Sequence, residues 1–265
     1  MKVGLIGCGK MGQALALGAL KAAALNPNDL FLYDSYAPAR DDLAAQSKAS
    51  ACDDLASLIE QSEALLLCVK PADVADVLKE IPDSRELLVL SIAAGLTLSQ
   101  MESQAGKATR VVRAMPNTPS LVGEGAAAFS LGSLATPDDA DFTKALLGSV
   151  GSVHEVKEVL MDAVTGLSGS GPAYVFTFIE ALADGALLEG LPREQALALA
   201  TQTVLGAATM VRETGALPAD LRDKVTSPGG TTIAGLAALE AGAFRSTIIS
   251  AVSSAARRSR ELGTQ

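Results

Sequence analysis

Short apolar runs and stretches of helical spacing alternate along the first half of the chain, and the second half keeps only the helical spacing. Residues 3–6 form an apolar run that leads directly into Gly7-Cys8-Gly9-Lys10-Met11-Gly12, after which Met11, Leu15, Ala19 and Ala22 fall along one helix face. Comparable runs at 30–33, 64–69, 87–92 and 109–112 predict buried parallel strands, with helices from 53 or 54 to 61 and from 71 to 81 between them. Thr136, followed by Pro137 and two aspartates, marks another helix start, and residues 152–156 predict one more strand. Alternation with short connections and no repeat period predicts a doubly wound parallel sheet. From about Glu158 onward the strand pattern ends, which places a boundary between an α/β domain over 1–157 and an all-helical domain over 158–265.

Residues 7–12 spell a full G-x-G-x-x-G standing between a strand and a helix, the context in which that spacing reads as a dinucleotide fingerprint on a Rossmann-type sheet. Gly7 allows the tight turn, Gly9 lets the backbone approach a pyrophosphate, and Gly12 lets helix and strand pack closely. Cys8, Lys10 and Met11 complete the loop. Asp34 ends the second strand just over twenty residues beyond the last glycine, where a carboxylate accepts hydrogen bonds from an adenosine ribose and repels a 2′-phosphate. Ser35 and Arg40 stand close enough to read such a phosphate if Asp34 turns away, so NADH and NADPH both stay open. Val69-Lys70-Pro71 and Ala93-Ala94-Gly95 fall just past two further strands, at the end of the sheet where ligands of open α/β folds lie.

In the second half, residues 166–172 break one helix and start another, with Pro172 at a favourable first-turn position. The new helix, 173–188, is apolar on nearly every side, and the next, 192–213, is again rich in Ala, Leu and Val. About a hundred residues supply few neighbours to cover both, so a second copy of the chain is the simplest cover and a self-contained bundle the alternative. Ser227, Pro228, Gly229 and Gly230 then form a turn without bulky side chains, and Thr231 and Thr232 open an apolar run at helical spacing. A helix N-terminus of this kind, with free N–H groups and three hydroxyls beside them, is a seat for a small carboxylate. Read in isolation, Thr231 is simply an N-cap and the glycines simply a turn.

The charge balance, 21 Lys and Arg against 30 Asp and Glu, argues against nucleic acid, which needs a basic surface. Three cysteines, Cys8, Cys52 and Cys68, are an odd number at no metal-ligand spacing, so neither a disulfide framework nor a metal site is expected, and a reducing cytoplasm fits. The most apolar later stretch, 174–188, carries Glu180 and Asp184 and is shorter than the roughly 20 residues of a bilayer span, so no membrane partner is expected. The only histidine, His154, has no carboxylate placed beside it by sequence and is read as structural rather than as a general acid.

Taken together with the segment SIAAGLT at 91–97, RAMPNTP at 113–119 and DAVTGLSGSGPAY at 162–174, the glycine loop and the S-P-G-G-T-T turn resemble pyrroline-5-carboxylate reductases over nearly the whole chain. The resemblance implies reduction of 1-pyrroline-5-carboxylate to L-proline by NADPH or NADH, in a cytoplasmic homodimer that in some members assembles further. It places the adenosine side near Val69, Lys70 and Pro71, the nicotinamide near Ala94, the 113–119 loop at the nicotinamide and substrate cleft, and Glu158 on the substrate side. Glu158 precedes Asp162 by four residues, which would set both carboxylates on one helix face. The carboxylate seat then comprises the N–H groups of Gly230, Thr231 and Thr232 with Ser227, and Thr232 supplies the hydroxyl that meets the ring nitrogen. Family members more often carry a small hydroxylated residue in place of Asp34. A β-hydroxyacid dehydrogenase would share the architecture but needs a catalytic lysine early in the helix at 173, and the chain has no lysine between 157 and 224. A nucleotide-sensing protein without turnover would keep the glycine loop but have no use for the seat.

Overall fold

A computed structural model of the chain describes residues 1–263. By packing it divides into two units, Met1–Ser170 together with the C-terminal end from Ser253, and Gly171–Val252. The boundary expected at 157/158 marks where strands end, whereas the packing boundary marks where the helical segment stops sharing the core of the sheet.

In the first unit, β1 (Val3–Ile6), α1 (Lys10–Lys21), β2 (Leu30–Tyr33), α2 (Ala37–Ser47), β3 (Ser50–Ala51), α3 (Leu55–Gln61), β4 (Ala64–Leu67), α4 (Pro71–Lys79), β5 (Leu87–Ser91), α5 (Leu98–Gln104) and β6 (Thr109–Met115) follow in strict alternation. Then come β7 (Gly125–Leu131), α6 (Pro137–Gly148), β8 (Gly151–Glu155) and a short α7 (Met161–Val164). Among the described residues the strands form one sheet in the order β3-β2-β1-β4-β5-β6-β7-β8, parallel throughout except for the antiparallel β6–β7 pair. Chain order reverses between β1 and β4, which is the switch point of a doubly wound sheet.

Both faces are covered, so the central strands are apolar at successive positions rather than at alternate ones. Val3 and Leu5 join Leu66, Leu90 and Phe129 under α1, α2 and α6, while Ile6, Leu65, Leu67 and Val89 lie under α3, α4 and α5. β7, read as neither strand nor helix in the sequence, is an Ala-rich segment held between β6 and β8. Paired neighbours on both sides override its weak intrinsic strand preference.

The expected start of α6 is a capping box. The Thr136 hydroxyl accepts from the Asp139 N–H, while Asp139 Oδ2 accepts from the Thr136 N–H and hydroxyl, both at 2.8 Å. Arg110 on β6 donates to the same carboxylate at 2.9 Å, which ties the helix to the sheet. Burial alone would push the Asp139 carboxyl up, but the Thr136 and Arg110 donors outweigh it and hold it below the ordinary value.

In the second unit, α8 (Gly171–Leu188), α9 (Arg193–Thr214), α10 (Pro218–Lys224), α11 (Thr231–Ala241) and the start of α12 (Phe244–Gly263) follow one another without a strand. Its own core is small: Ala183, Ala196 and Ala200, with Ile179, Ala186 and Leu191 against them. Phe178 and Phe244 stack with centroids 5.8 Å apart. Phe176, Leu188, Leu197, Leu199 and Leu205 are each at least half exposed. Among the described residues no single helix is long and apolar enough to cross a membrane, although α11 and α12 reach that length and composition when taken together as a bent pair.

Because the Asp139 carboxyl is depressed in the folded chain, its stabilising contribution is complete above the ordinary carboxylate value of about 4 and is lost as pH falls through the lower folded value. Asp139→Asn is expected to lower stability at neutral pH by about 1–3 kcal/mol and to flatten the acid limb of a stability–pH curve. Urea unfolding between pH 3 and 7 checks this, and an acid limb identical to that of the parent would count against it.

Candidate active site

The glycine loop leaves β1 at the switch point under tight steric limits. Gly7 has φ +99°, and a Cβ there would stand 2.6 Å from the Cys68 carbonyl oxygen at the end of β4. At Gly12 a Cβ would collide with the Gly7 carbonyl, so α1 starts directly against the strand it follows. Gly9 is different. Its φ of −71° suits any residue and the space beside it is open to 4 Å. Gly9 is also the N-cap of α1, and no side chain caps that helix. An uncapped helix start beside an open, side-chain-free backbone is a place where a pyrophosphate fits.

Hydrogen bonds from several segments hold the loop. The Gly7 N–H donates to the Tyr33 carbonyl at 3.0 Å, the Cys8 N–H donates to Asp34 Oδ2 at 2.7 Å, and Gln13 Nε2 donates to the Cys8 carbonyl at 3.1 Å. Gln13 carried no functional signal in the sequence; it acts from inside α1 by reaching back over one turn. Lys10 is exposed and Met11 half-buried. Burial, and then the Asp34 carboxylate, push the Cys8 thiol up to about 12, and burial likewise raises that of Cys68, so neither is a thiolate nucleophile at neutral pH.

Asp34, Ser35, Val69, Lys70, Pro71 and Ala94 all lie at the same end of the sheet, just beyond β2, β4 and β5. Lys70 is the N-cap of α4 and Pro71 its first residue, and no side chain caps this helix either. Ala94 is exposed, while Gly95 beside it has φ +81° and lies against Leu262 at the end of α12. Gln100 Nε2 donates to the Gly263 carbonyl at 3.0 Å, and the Ser259 hydroxyl donates to Asp162 Oδ1 at 2.6 Å. The last turns of α12 therefore back the loop after β5, a contact 163 residues apart in sequence that no local pattern announces.

Glu158 has partners that the sequence did not reveal. It starts a 3-10 turn, Glu158–Leu160, ahead of α7, so Glu158 and Asp162 do not share one regular helix face. Glu158 Oε1 accepts from the Leu98 N–H at 2.6 Å and from buried Arg113 at 3.1 Å. Asn117, in the 113–119 loop, is buried; it donates to the Ser168 carbonyl at 3.0 Å and accepts from the Ala126 N–H at 2.8 Å. Residues 165–169 form a π-turn, the break expected before Pro172. His154 is exposed on β8.

The S-P-G-G-T-T segment belongs to the helical unit. Gly229 has φ +67°, which favours glycine, and a Cβ on Gly230 would displace the Ser227 hydroxyl and stand 3.3 Å from the Ser227 carbonyl oxygen. Gly230, not Thr231, is the N-cap of α11, and no side chain caps the helix. The Gly230 N–H is donated to the Ser227 carbonyl at 3.1 Å, which leaves the N–H groups of Thr231, Thr232 and Ile233 as the first-turn donors without an intrahelical acceptor. Thr232 is half-buried, and Ser227 and Thr231 are exposed.

A doubly wound sheet with an open glycine loop at its switch point and an acid at the end of β2 defines a dinucleotide-binding fold. Residues 2–95 match the family described as NADP oxidoreductase coenzyme F420-dependent, and residues 158–262 match the family described as pyrroline-5-carboxylate reductase dimerisation. Over 264 residues the chain is 47% identical to the pyrroline-5-carboxylate reductase of Methanosarcina acetivorans, covering 99% of this chain and 98% of that one. The Coxiella burnetii pyrroline-5-carboxylate reductase structure superposes with a TM-score of 0.93 at 36% identity over 98% of both chains. The Plasmodium falciparum pyrroline carboxylate reductase structure, with NADP bound, superposes with a TM-score of 0.88 at 34% identity, over 99% of this chain and 98% of that one. This chain belongs to the pyrroline-5-carboxylate reductase family, and with it to the NAD(P)H-dependent oxidoreductases of proline synthesis.

The contrast between the glycines is testable. Gly9→Ala is expected to keep a near-parental melting temperature, because its Cβ enters empty space, yet to weaken dinucleotide binding by roughly tenfold or more. Gly12→Ala is expected to destabilise the fold itself by about 1–3 kcal/mol. Thermal melts paired with cofactor titration separate the two, and equal loss of stability in both variants would contradict the assignment of Gly9.

Proposed function

We propose that this chain reduces 1-pyrroline-5-carboxylate to L-proline as a cytoplasmic homodimer, with the substrate carboxylate held at the start of α11. The observation that carries the assignment is the uncapped α11 N-terminus, flanked by the Ser227, Thr231 and Thr232 hydroxyls and opened by two glycines, in a chain with this ancestry. The first-turn N–H groups of Thr231 and Thr232 and the positive end of the helix dipole stabilise an anion there. Gly230 contributes the room for the turn rather than a free N–H, since that group is bonded to Ser227.

A nicotinamide dinucleotide, when bound, would supply the hydride for the imine carbon. The chain's own work is positioning: the glycine loop, with Gly7, Cys8, Gly9, Lys10, Met11 and Gly12, orients the dinucleotide from β1. Val69, Lys70 and Pro71 flank its adenosine side, and Ala94 leaves room for a flat ring. The Thr232 hydroxyl oxygen accepts a hydrogen bond from the protonated ring nitrogen and holds it in place. Because an iminium can arrive already protonated, no His or Lys acid is needed, in keeping with an exposed His154 remote in sequence from both motifs. Glu158, with Oε1 committed to Leu98 and Arg113, acts on the substrate side by fixing the Arg113 end of β6. Functionally the chain divides at 157/158, where the dimerisation match begins.

Exposed apolar area supports the dimer. Burying one exposed Leu or Phe is worth about 1.5–3 kcal/mol, so covering Phe176, Leu188, Leu197, Leu199 and Leu205 contributes on the order of 10 kcal/mol, comparable to the whole stability of a domain. Free, buried Cys8 and Cys52 fit a reducing compartment.

Thr232→Ala is expected to lower kcat for pyrroline-5-carboxylate by roughly ten- to a hundredfold, the size of one lost transition-state hydrogen bond, with Thr232→Ser restoring most of it. Steady-state assays check this, and parental turnover in the alanine variant would remove Thr232 from the reaction. Light scattering at micromolar concentration should return twice the chain mass, or an even multiple of it if dimers assemble further. A well-folded monomer would refute the dimer.

A further inference from the structure

The nucleotide end of the sheet carries an anion of its own. Asp34 lies just past β2, and both of its carboxylate oxygens are in use: Oδ2 accepts from the Cys8 N–H of the glycine loop at 2.7 Å, and Oδ1 accepts from the Tyr36 N–H at 2.8 Å. Two backbone donors from different segments anchor it, so the carboxylate does not turn away from the loop. A 2′-phosphate on an adenosine ribose would need N–H donors at the start of α2 and a cation beside them. Part of that donor set is consumed, with the Ser35 and Ala37 N–H groups left over. The Tyr36 N–H serves Asp34, Pro38 has no N–H, and the Ala39 N–H is bonded to the Tyr36 carbonyl at 3.0 Å.

The cation is consumed as well. Arg40 donates through Nε to Asp41 at 2.8 Å and through Nη1 to the Cys52 carbonyl at 2.9 Å and to Asp53 at 3.1 Å. Those bonds tie the guanidinium to the segment after β3, and two carboxylates already neutralise it. Ser35 offers a hydroxyl but no charge. Lys10 and Lys70 belong to the loops after β1 and β4, so the loop after β2 contributes no unpaired cation of its own.

We propose that Asp34 makes this chain NADH-selective: its anchored carboxylate accepts the ribose hydroxyls of NADH and occupies, with its own charge, the place at the start of α2 that a 2′-phosphate would need. The proposal rests on the glycine loop being the dinucleotide site, and it sets this chain apart from the Plasmodium falciparum relative whose structure holds NADP.

The test has two arms. In the first, kcat/KM for pyrroline-5-carboxylate reduction is measured with NADH and with NADPH on the parent and on Asp34→Ser. The parent is expected to favour NADH by roughly tenfold or more, and the variant to shift the ratio toward NADPH by at least about tenfold, as expected for removing one like charge beside the phosphate. In the second arm, calorimetry without substrate compares ADP-ribose with 2′-phospho-ADP-ribose and should show the same order. If Asp34→Ser loses its fold with the two backbone acceptors, Asp34→Asn keeps one acceptor oxygen, drops the charge and must shift the ratio in the same direction. A parent that turns over as well with NADPH, or a folded variant with an unchanged ratio, overturns the proposal. A parent that binds ADP-ribose preferentially but reduces no imine leaves it standing and refutes the function proposed above.

Discussion

Where β1 ends, two stretches of backbone pass so close that only glycine fits between them. A Cβ on Gly7 would meet the Cys68 carbonyl, and one on Gly12 would meet Gly7 itself. That double contact sends the chain out of β1 in a left-handed turn and starts α1 at once, so the first helix N–H groups emerge at the point where strand order reverses. Everything at the nucleotide end is arranged around it. Asp34 accepts from the Cys8 N–H and Gln13 donates to the Cys8 carbonyl, while the space beside Gly9 stays open.

A second tier of interactions keeps the neighbouring loops in place without touching that turn. Glu158 joins the start of α5 to Arg113 on β6, Asn117 joins the following loop to the π-turn at 165–169, and Gln100 with Ser259 secures the end of α12 behind Gly95. Each is a buried or half-buried polar group with a named partner, the condition under which such groups add specificity rather than cost. The helical unit follows a different logic. Its alanine core is too small to organise α8 and α9 alone, and the large side chains lie outside it. The same exposed surface that would be a liability in an isolated unit is what a matching copy would bury.

The elements that could be read along the chain are those whose cause is local. The glycine fingerprint needs only six consecutive residues, the Thr136–Asp139 box only four, and α8 announces its need for cover by being apolar all round. Thr97 and Gln100 form a second such box that starts α5, and its T-x-x-Q spacing was present to be read. β7 was not legible, because alanines carry no strand signal and only pairing with β6 and β8 makes them one. The turn at 227–230 was legible as a helix entrance. That Gly230 caps α11 and spends its N–H on Ser227 depends on the backbone path through Gly229.

By itself, then, the order of residues determined the alternation of strands and helices, the glycine loop, the helical second half and the family, since each rests on neighbours a few positions apart. Tertiary structure decided how the charged groups are spent. Asp34 faces Cys8 and Tyr36, Arg40 is drawn to Asp53, and Glu158 is bound to Arg113, pairings of groups between 2 and 45 residues apart. A carboxylate's identity fixes its charge, but its role depends on which donors the fold brings within 3 Å, and that is a property of the packed backbone.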